Sequence, residues 1–346
     1  MALSKLSGDE AGIVFVQLCN ALEPRLAVYL SSTSHELRAL TQALRQQLRA
    51  DYEVAAALCR KVGMRSCKEL REAKMVKERG LSAADLALLG TLGSVLQALE
   101  TLILLESSAG AAGPDGVQRL AEGLGAGALP SVDYLVLTGM HAGDAGASAL
   151  AAALDRGALP RLCVLILCNA GIGDVGLVAL APALRRRPAL ETLYLPSNSF
   201  GDEGLAALVA PLLPVGALSP PTDVLTKLYS LELSYTRISD AGCATLAAAI
   251  DSGVLPALNG FALYGTSASA AAKAAVNDAL EKQWAAVSSA PAAPAAPAAP
   301  AALAAPSAAE PLPPIAAEVS VQFNYVPGLL VGLPTLLVAV FYGIFA

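Results

Sequence analysis

The stretch LETLYLPSNSFGDEGLAALVAPLL, residues 190–213, places a polar loop between two apolar segments of different periodicity. Leu193 and Leu195 alternate with other residues, and a period of two predicts a short strand with both leucines on one face. Leu205 and Leu208 lie three residues apart, the spacing at which side chains share one face of a helix. The stretch therefore encodes a strand, a turn and a helix, and one such unit is too small to bury both of its apolar faces.

The same pattern recurs along the chain. Its common features are L-x-x-L-x-L, a short loop, G-D-x-G, and a helix that contains L-A-x-x-L. Six copies begin 28–38 residues apart, at Leu99, Val132, Leu162, Leu190, Leu228 and Leu258. The longest interval contains an insertion, residues 216–227, that fits a surface loop. Because one unit cannot fold alone, the copies must stack, and we predict a solenoid over residues 81–287.

These repeats resemble the leucine-rich repeats of the ribonuclease-inhibitor type, whose units are about 28 residues long. The resemblance implies an α/β fold, a leucine-rich-repeat solenoid with short parallel strands inside and helices outside. In that family an Asn at the position of Asn198 bonds the backbones of neighbouring coils. The other copies carry a different residue there, so we expect leucine packing to hold their turns, as at Met140, Ala170, Thr236 and Thr266.

An aspartate recurs in the G-D-x-G loops. A row of acids suggests metal sites, but each one precedes a predicted helix and suits its N-cap. The sequence contains neither the spacing of a calcium-binding loop nor a clustered zinc set, and we predict capping of each residue's own helix, at Asp115, Asp144, Asp174, Asp202 and Asp240.

The chain carries no signature of catalysis. Its two histidines, His35 and His141, are far apart, and no nucleophile elbow, P-loop or kinase motif is present. We therefore predict a protein that is not an enzyme and has no catalytic, cofactor or metal site. The formal net charge of −6 does not favour nucleic-acid binding. Six scattered cysteines without C-x-x-C spacing indicate free thiols in a reducing compartment.

Residues 1–80 precede the repeats, and their apolar spacing predicts an all-α N-terminal cap. Within it, residues 12–45 resemble an F-box, which would bind a Skp-type ubiquitin-ligase linker. The alternative is a generic helical cap that closes the solenoid. Residues 59–80 hold eight basic and three acidic residues, which favours a solvated helix face over a contact with anionic lipid or an acidic partner. The F-box-like positions are Leu22, Pro24, Leu30, Leu37 and Leu40.

The C-terminal part changes character twice. Residues 288–318 repeat Ala-Ala-Pro and predict a semi-rigid, polyproline-like linker. Residues 325–346 contain no charged side chain and suit a transmembrane helix across a hydrocarbon layer of about 30 Å. The alternative is a hydrophobic hairpin docked on a partner. An anchor at the last residue emerges only after synthesis stops, so we expect a tail-anchored protein whose repeats face the cytosol.

The concave face of the arc is the expected binding surface. Strand positions between the leucines face it, and several of them are tyrosines, which offer a large contact area at low entropic cost. The alternative is that tyrosine simply tolerates strands. The predicted partner-binding residues are Tyr134, Val136, Ile166, Tyr194, Tyr229, Glu232, Tyr235 and Tyr264.

Together these features predict a non-enzymatic, membrane-tethered protein–protein interaction module. A more specific interpretation is an F-box/leucine-rich-repeat substrate adaptor of a cullin–RING ubiquitin ligase. A third is an accessory subunit of a large membrane complex, in which the apolar segment 325–346 packs on other subunits.

Overall fold

The computed structural model describes residues 41–106, 110–209 and 225–289, together with the single residues 22, 29 and 39. Within these residues the strands are β1 (Met75–Arg79), β2 (Thr101–Leu105), β3 (Tyr134–Thr138), β4 (Val164–Ile166), β5 (Thr192–Tyr194), β6 (Ser230–Glu232) and β7 (Gly260–Ala262). The helices are α1 (Gln42–Lys61), α2 (Cys67–Glu72), α3 (Ala83–Leu92), α4 (Gly116–Gly123), α5 (Gly143–Asp155), α6 (Asp174–Arg185), α7 (Asp202–Val209), α8 (Asp240–Asp251) and α9 (Ala270–Ser289).

The strands form one parallel sheet in the order β1 to β7, so each strand pairs with the next one along the chain. The L-x-L pattern sets the register. Its first leucine, or the apolar residue in its place, lies beside the equivalent residue of each neighbouring strand, in the row Val76, Leu102, Leu135, Leu165, Leu193, Leu231 and Phe261. This stacking confirms the predicted α/β solenoid of strand–helix units.

The helices lie on one side of the sheet, and each helix from α3 to α9 packs against the next. The leucines of the strands and helices meet between these two layers in one continuous core, where Leu165, Leu180 and Leu193 are fully buried. At about 25 cal/mol per Å² of apolar surface removed from water, burial in this core is the main stabilising contribution.

Four of the five predicted aspartates accept backbone hydrogen bonds at the start of the next repeat's helix, not their own: Asp144, Asp174, Asp202 and Asp240. The fifth, Asp115, accepts a hydrogen bond from the Arg119 side chain and makes no capping bond. The Oδ1 atom of Asp144 accepts backbone hydrogen bonds from Gly173 at 2.8 Å and Gly176 at 2.9 Å, at the start of α6 in the next repeat. Asp174 accepts in the same way from Gly201 at the start of α7. Own-helix capping was therefore the wrong prediction. Asp174 is already the first helical residue, after the N-cap Gly173, so its carboxylate points to the neighbouring coil.

Asn198 joins two coils through five hydrogen bonds. Its Oδ1 atom accepts from the backbone N–H groups of Ala170 at 3.1 Å and Ile172 at 3.0 Å. Its Nδ2 atom donates to the carbonyls of Leu167 at 2.8 Å and Leu195 at 2.9 Å, and to a third carbonyl at 3.3 Å. This buried side chain has the inter-coil role that the resemblance implied. At the same position Thr236 donates to Leu233, and Thr266 to Leu263, each within its own coil.

The basic segment 59–80 differs from the solvated helix face that its charges predicted. It contains the end of α1, the short helix α2 and the strand β1, which pairs in parallel with β2. Val76 is buried against the core, while the charged side chains of Lys77 and Arg79 are exposed on alternate positions. The sheet therefore begins within residues 1–80, before the predicted start of the arc at residue 81.

Several predictions fall on residues that the structure does not describe. Of the five F-box-like positions, Leu22 is described and is buried, whereas Pro24, Leu30, Leu37 and Leu40 lie outside the described residues. The linker and the predicted transmembrane segment, residues 290–318 and 325–346, also lie outside them. Among the helices that are described, none combines the length and apolarity that a membrane crossing requires.

The thiols of the five described cysteines are free, at Cys59, Cys67, Cys163, Cys168 and Cys243. The Sγ atoms of Cys59 and Cys67 lie 3.5 Å apart in the core beneath α1 and α2. Burial, followed by the neighbouring Cys67, raises the pKa of Cys59 to about 12. Cys59 is therefore a neutral, packed thiol at physiological pH.

Candidate functional site on the concave face

The strand alternation that buries the leucines sends the intervening side chains to the opposite, concave face of the sheet. Because the register is exact from strand to strand, these side chains line up in rows that cross the strands. The central row is Lys77, Ile103, Val136, Ile166, Tyr194, Glu232 and Ala262. The row before it is Met75, Thr101, Tyr134, Val164, Thr192, Ser230 and Gly260.

Four consecutive members of the central row form what we call the apolar stripe: Ile103, Val136, Ile166 and Tyr194. Ile103 and Val136 are 0% exposed and Ile166 is 7% exposed, although all three lie on the face away from the helices. They form a hydrophobic cluster separate from the main core. The partly buried side chains packed against this cluster are Leu105, Tyr134, Val164, Cys168 and Tyr194.

Within the central row, a charged residue borders each end of the apolar stripe. Lys77 on β1 is exposed at one end, and Glu232 on β6 lies at the other end, where its Oε1 atom accepts a hydrogen bond from the backbone N–H of Ser234 at 2.8 Å. Beside Lys77, the Nζ atom of Lys74 lies 3.0 Å from Glu100 Oε1. The concave face is therefore basic at its first strand, uncharged across β2 to β5 in this row, and acidic at β6.

Tyr134 and Tyr194 form one rim of the stripe. Both are partly buried, and the hydroxyl of Tyr194 lies 3.2 Å from the hydroxyl oxygen of Ser230 on the next strand. Burial, and then the neighbouring Tyr194, raise the pKa of Tyr134. Both effects favour the neutral phenol, so Tyr134 offers an apolar ring with an uncharged polar tip.

Residues 188–209 and 224–247 match the family model described as Leucine Rich repeat. The chain contains leucine-rich repeats. None of the curated proteins compared with the chain matches it. Among solved structures, internalin C2 from Listeria monocytogenes is similar at 18% identity, with a TM-score of 0.33, over 62% of this chain and 84% of that one.

The leucine-rich repeats bring five of the eight predicted binding residues together. They lie on the concave face of four adjacent strands, β3 to β6: Tyr134, Val136, Ile166, Tyr194 and Glu232. Val136 and Ile166 are buried, so they form the floor of the stripe and the tyrosines form its accessible edge.

The other three predicted residues lie off the paired strands. Tyr229 precedes β6 at the amino edge of the sheet, where its hydroxyl accepts a hydrogen bond from Asn259. Tyr235 and Tyr264 follow the last paired residues of β6 and β7 at the carboxyl edge, and Tyr235 has a φ of 58°. All three are exposed, and they form two separate edges instead of one surface with Tyr134 and Tyr194.

Three residues of the concave face are not among the predicted ones: Ile103, Lys77 and Cys168. Ile103 occupies the same register position as Val136 and would have been found by aligning the L-x-L pattern of the first repeat with the second. Lys77 was missed because β1 lacks that pattern. Cys168 also joins the cluster, and burial, followed by the nearby Glu232, raises the pKa of its thiol. Within the described ranges, no group of three or more His, Cys, Asp or Glu residues is arranged to hold a metal ion.

Proposed function

We propose that this protein is a non-enzymatic, membrane-tethered interaction module that binds a protein partner on the concave face of its leucine-rich repeats. The observation that carries the proposal is a pair of partly buried tyrosines on the helix-free face, Tyr134 and Tyr194, which pack against the buried cluster of the stripe and offer large rings with polar tips. Leucine-rich-repeat proteins generally mediate protein–protein interactions, and these two tyrosines supply a contact surface for one.

The chemistry of the face suits a protein more than a small molecule or an anion. Tyr134 and Tyr194 provide large, rigid contact surfaces with polar tips, the kind of residue that dominates protein interfaces. The buried floor of the stripe packs against both rings and fixes their positions. Lys77 and Glu232 at opposite ends favour a partner of complementary charge and fix its orientation on the face.

The experiment that tests this function is affinity purification from membrane extracts with a concave-face variant. Replacing Tyr134 and Tyr194 with alanine removes the accessible edge of the stripe, and loss of a partner that the unaltered protein retains is the expected result. Val175→Ala is the matched control, because Val175 is 70% exposed on α6, on the helical side.

Membrane tethering is the second part of the proposal. Residues 325–346 contain no charged side chain, and residues 288–318 give a spacer that separates them from the repeats. We propose that the repeats face the cytosol. Protease added to intact membranes should then digest the repeats, whereas a protected repeat domain would contradict this orientation.

A more specific form of the proposal is a substrate adaptor of a cullin–RING ubiquitin ligase. Its support is the F-box-like pattern of residues 12–45, in which Leu22 is a buried position. The test is co-purification of a Skp-type linker with the full chain, and its loss in Leu30→Ala with Leu37→Ala. Recovery of a complex of fixed stoichiometry without such a linker would instead favour an accessory subunit of a membrane complex.

A further inference from the structure

We propose that the carboxyl edge of β6 and β7 binds an arginine side chain of the protein partner. The site is the carboxyl-edge patch, which consists of Glu232, Tyr235 and Tyr264. This inference rests on the proposed function, because the partner held on the concave face supplies the arginine. The patch thus sets one chemical requirement on that partner.

The two tyrosine rings of the patch are open to solvent. Tyr235 is 63% exposed and Tyr264 is 64% exposed. The backbone N–H of Tyr235 donates to the carbonyl of Tyr264 at 2.6 Å, so the two residues are neighbours on adjacent coils. Exposed tyrosines suit a binding surface, because the ring offers a large apolar area and the hydroxyl tip tolerates water.

Tyr235 lies where the backbone has left-handed torsion angles. Its φ is 58°, and in four other repeats the equivalent residue also has a positive φ: Gly139 (71°), Asn169 (49°), Ser197 (58°) and Gly265 (63°). Glycine and asparagine adopt this conformation readily, whereas a bulky aromatic residue is strained in it. The tyrosine therefore lowers the stability of its own turn, and contact with a partner is a reason for its presence.

The backbone of the last repeat determines where the Tyr235 ring lies. The ring packs over Gly265, where an added Cβ would collide with the Cδ1 and Cε1 atoms of Tyr235. Because Gly265 follows Tyr264 directly in the chain, the Tyr235 ring lies beside the backbone that carries the second ring. One part of the Tyr235 ring is supported by the protein, and the larger part is accessible to an incoming group.

Glu232 gives the patch a negative charge and joins it to the concave face. Its Oε1 atom accepts from the backbone N–H of Ser234 at 2.8 Å, and the Oγ atom of Ser234 accepts from the backbone N–H of Tyr264 at 3.0 Å. These two bonds connect the carboxylate to the tyrosine pair. None of the ion pairs within the described part of the chain involves Glu232.

An arginine side chain matches the patch in both charge and shape. Its guanidinium stacks on tyrosine rings through cation–π contacts and donates charge-assisted hydrogen bonds to carboxylates. The Oε1 atom of Glu232 is bonded to the backbone, so we assign its Oε2 atom as the acceptor. Arg237 of the same chain lies beside Gly201 of the preceding repeat, whereas the Tyr235 ring lies on the following one.

A defined probe tests the patch without the partner. The full chain in lipid nanodiscs, with its nine tyrosines replaced by fluorotyrosine, is titrated with Nα-acetyl-arginine amide and followed by fluorine NMR. We expect the Tyr235 and Tyr264 signals to shift at least threefold more than the signal of Tyr229, which is exposed at the amino edge. Nα-acetyl-citrulline amide, which is similar in shape and uncharged, should give no such difference. Equal responses to the two probes would overturn the inference.

The same titration tests the role of the carboxylate. Glu232→Gln should abolish the difference between the arginine and citrulline probes. Asp251→Asn is the matched control, because it removes an exposed charge at the end of α8 and should keep that difference. An unchanged response in Glu232→Gln would show that Glu232 does not bind the guanidinium and would contradict the proposed site.

Partner capture tests the patch in its biological setting. Tyr235→Gly removes the ring and introduces the residue best suited to a positive φ, so the melting temperature should not fall. Recovery of the partner from membrane extracts should nevertheless fall at least fivefold. Ser197→Gly is the matched control, because it makes the same backbone change at the same φ without removing a ring. Full recovery with Tyr235→Gly would overturn the inference.

Failure of this inference can be distinguished from failure of the proposed function. If Tyr134→Ala with Tyr194→Ala leaves partner capture intact, the proposed function fails, whereas the response of the patch to the arginine probe does not depend on that result. If the probes show no preference for charge, the arginine site is wrong, and capture through Tyr134 and Tyr194 stands.

Discussion

The Oδ1 atom of Asp174 lies 2.7 Å from the backbone nitrogen of Gly204, in the helix of the following repeat. Asp144 makes the equivalent bond to Gly176, and Asp202 accepts from the backbone N–H of Ser239 at 2.8 Å. Each carboxylate therefore fixes the start of the next helix and couples adjacent repeats. This contact explains the G-D-x-G motif, because the Asp of one repeat accepts a hydrogen bond from the second Gly of the motif in the next repeat.

Removing one of these carboxylates should weaken the coupling between two repeats. Asp174→Ala leaves the N–H groups of Gly201 and Gly204 without this acceptor, and we expect a loss of about 1–2 kcal/mol in the free energy of unfolding, the usual cost of a lost helix cap. Urea unfolding followed by circular dichroism measures it. Asp278→Ala, an exposed aspartate on α9, should change stability by less than about 0.5 kcal/mol.

Adding a methyl group at the second glycine should be equally costly. A Cβ at Gly176 would lie 2.5 Å from Asp144 Oδ1 and 2.9 Å from the Asp144 Cα, so the backbone of a neighbouring coil would have to move. We expect Gly176→Ala to destabilise the protein by about 1–3 kcal/mol through overpacking. A Cβ at Gly125 would have no atom within 4 Å, so Gly125→Ala is the control. We expect Gly176→Ala to lower the melting temperature and Gly125→Ala to leave it unchanged.

Asn198, which bonds the backbones of two coils, should matter more than the threonines at its position in other repeats. Asn198→Ala leaves two backbone donors and three carbonyls without this buried partner, and we expect a loss of about 2–4 kcal/mol. Thr236→Val removes one bond within its own coil, 2.7 Å long, and should cost about 1 kcal/mol. Equal losses would contradict the inter-coil role of Asn198.

Asp85, in the first helix of the repeats, makes a pH-dependent contribution to the free energy of unfolding. Burial by itself would raise the pKa of Asp85, but hydrogen bonds from Lys61, at 2.7 Å, and from Ser82 lower it overall. A carboxyl whose pKa is lower in the folded state stabilises the protein above its unfolded pKa of about 3.9, and this stability is lost as pH falls through the folded value.

Asp85→Asn should therefore destabilise the protein at pH 7 and have a smaller effect near pH 3. The measurement is the difference in urea midpoint between the variant and the unaltered protein at the two pH values. A difference that stays constant with pH would show that the charge of Asp85 contributes nothing, and that the capping box with Ser82 acts through neutral hydrogen bonds alone.

Most of the sheet was predictable because the sequence of each repeat encodes a strand with the same L-x-L alternation. Leucines such as Leu135 and Leu193 have to face the helices, and this fixes both the register and the concave face. β1 was not predictable in this way, because MVKER carries one buried valine among charged residues. The helices indicated by L-A-x-x-L were found where their leucines place them.

The sequence pattern did not indicate the contacts that the loop aspartates make between coils. The partner of Asp174 depends on how far one coil is displaced from the next, and no residue spacing within a repeat encodes that distance. Tyr235 and Tyr264 are exposed but lie at the carboxyl edge of the sheet, because β6 and β7 end after three residues and the chain turns before these side chains. Tyr134 and Tyr194 lie within strands, where alternation alone assigns the face.

The most direct test of the concave face as a binding surface is quantitative affinity purification with Tyr134→Ala and Tyr194→Ala combined, at matched melting temperature. Recovery of the partner retained by the unaltered protein should fall at least tenfold, since two large contact residues at an interface together are worth about 2 kcal/mol or more. Val175→Ala, on the helical side, should recover it in full. Undiminished recovery with the double tyrosine variant would show that the partner binds elsewhere.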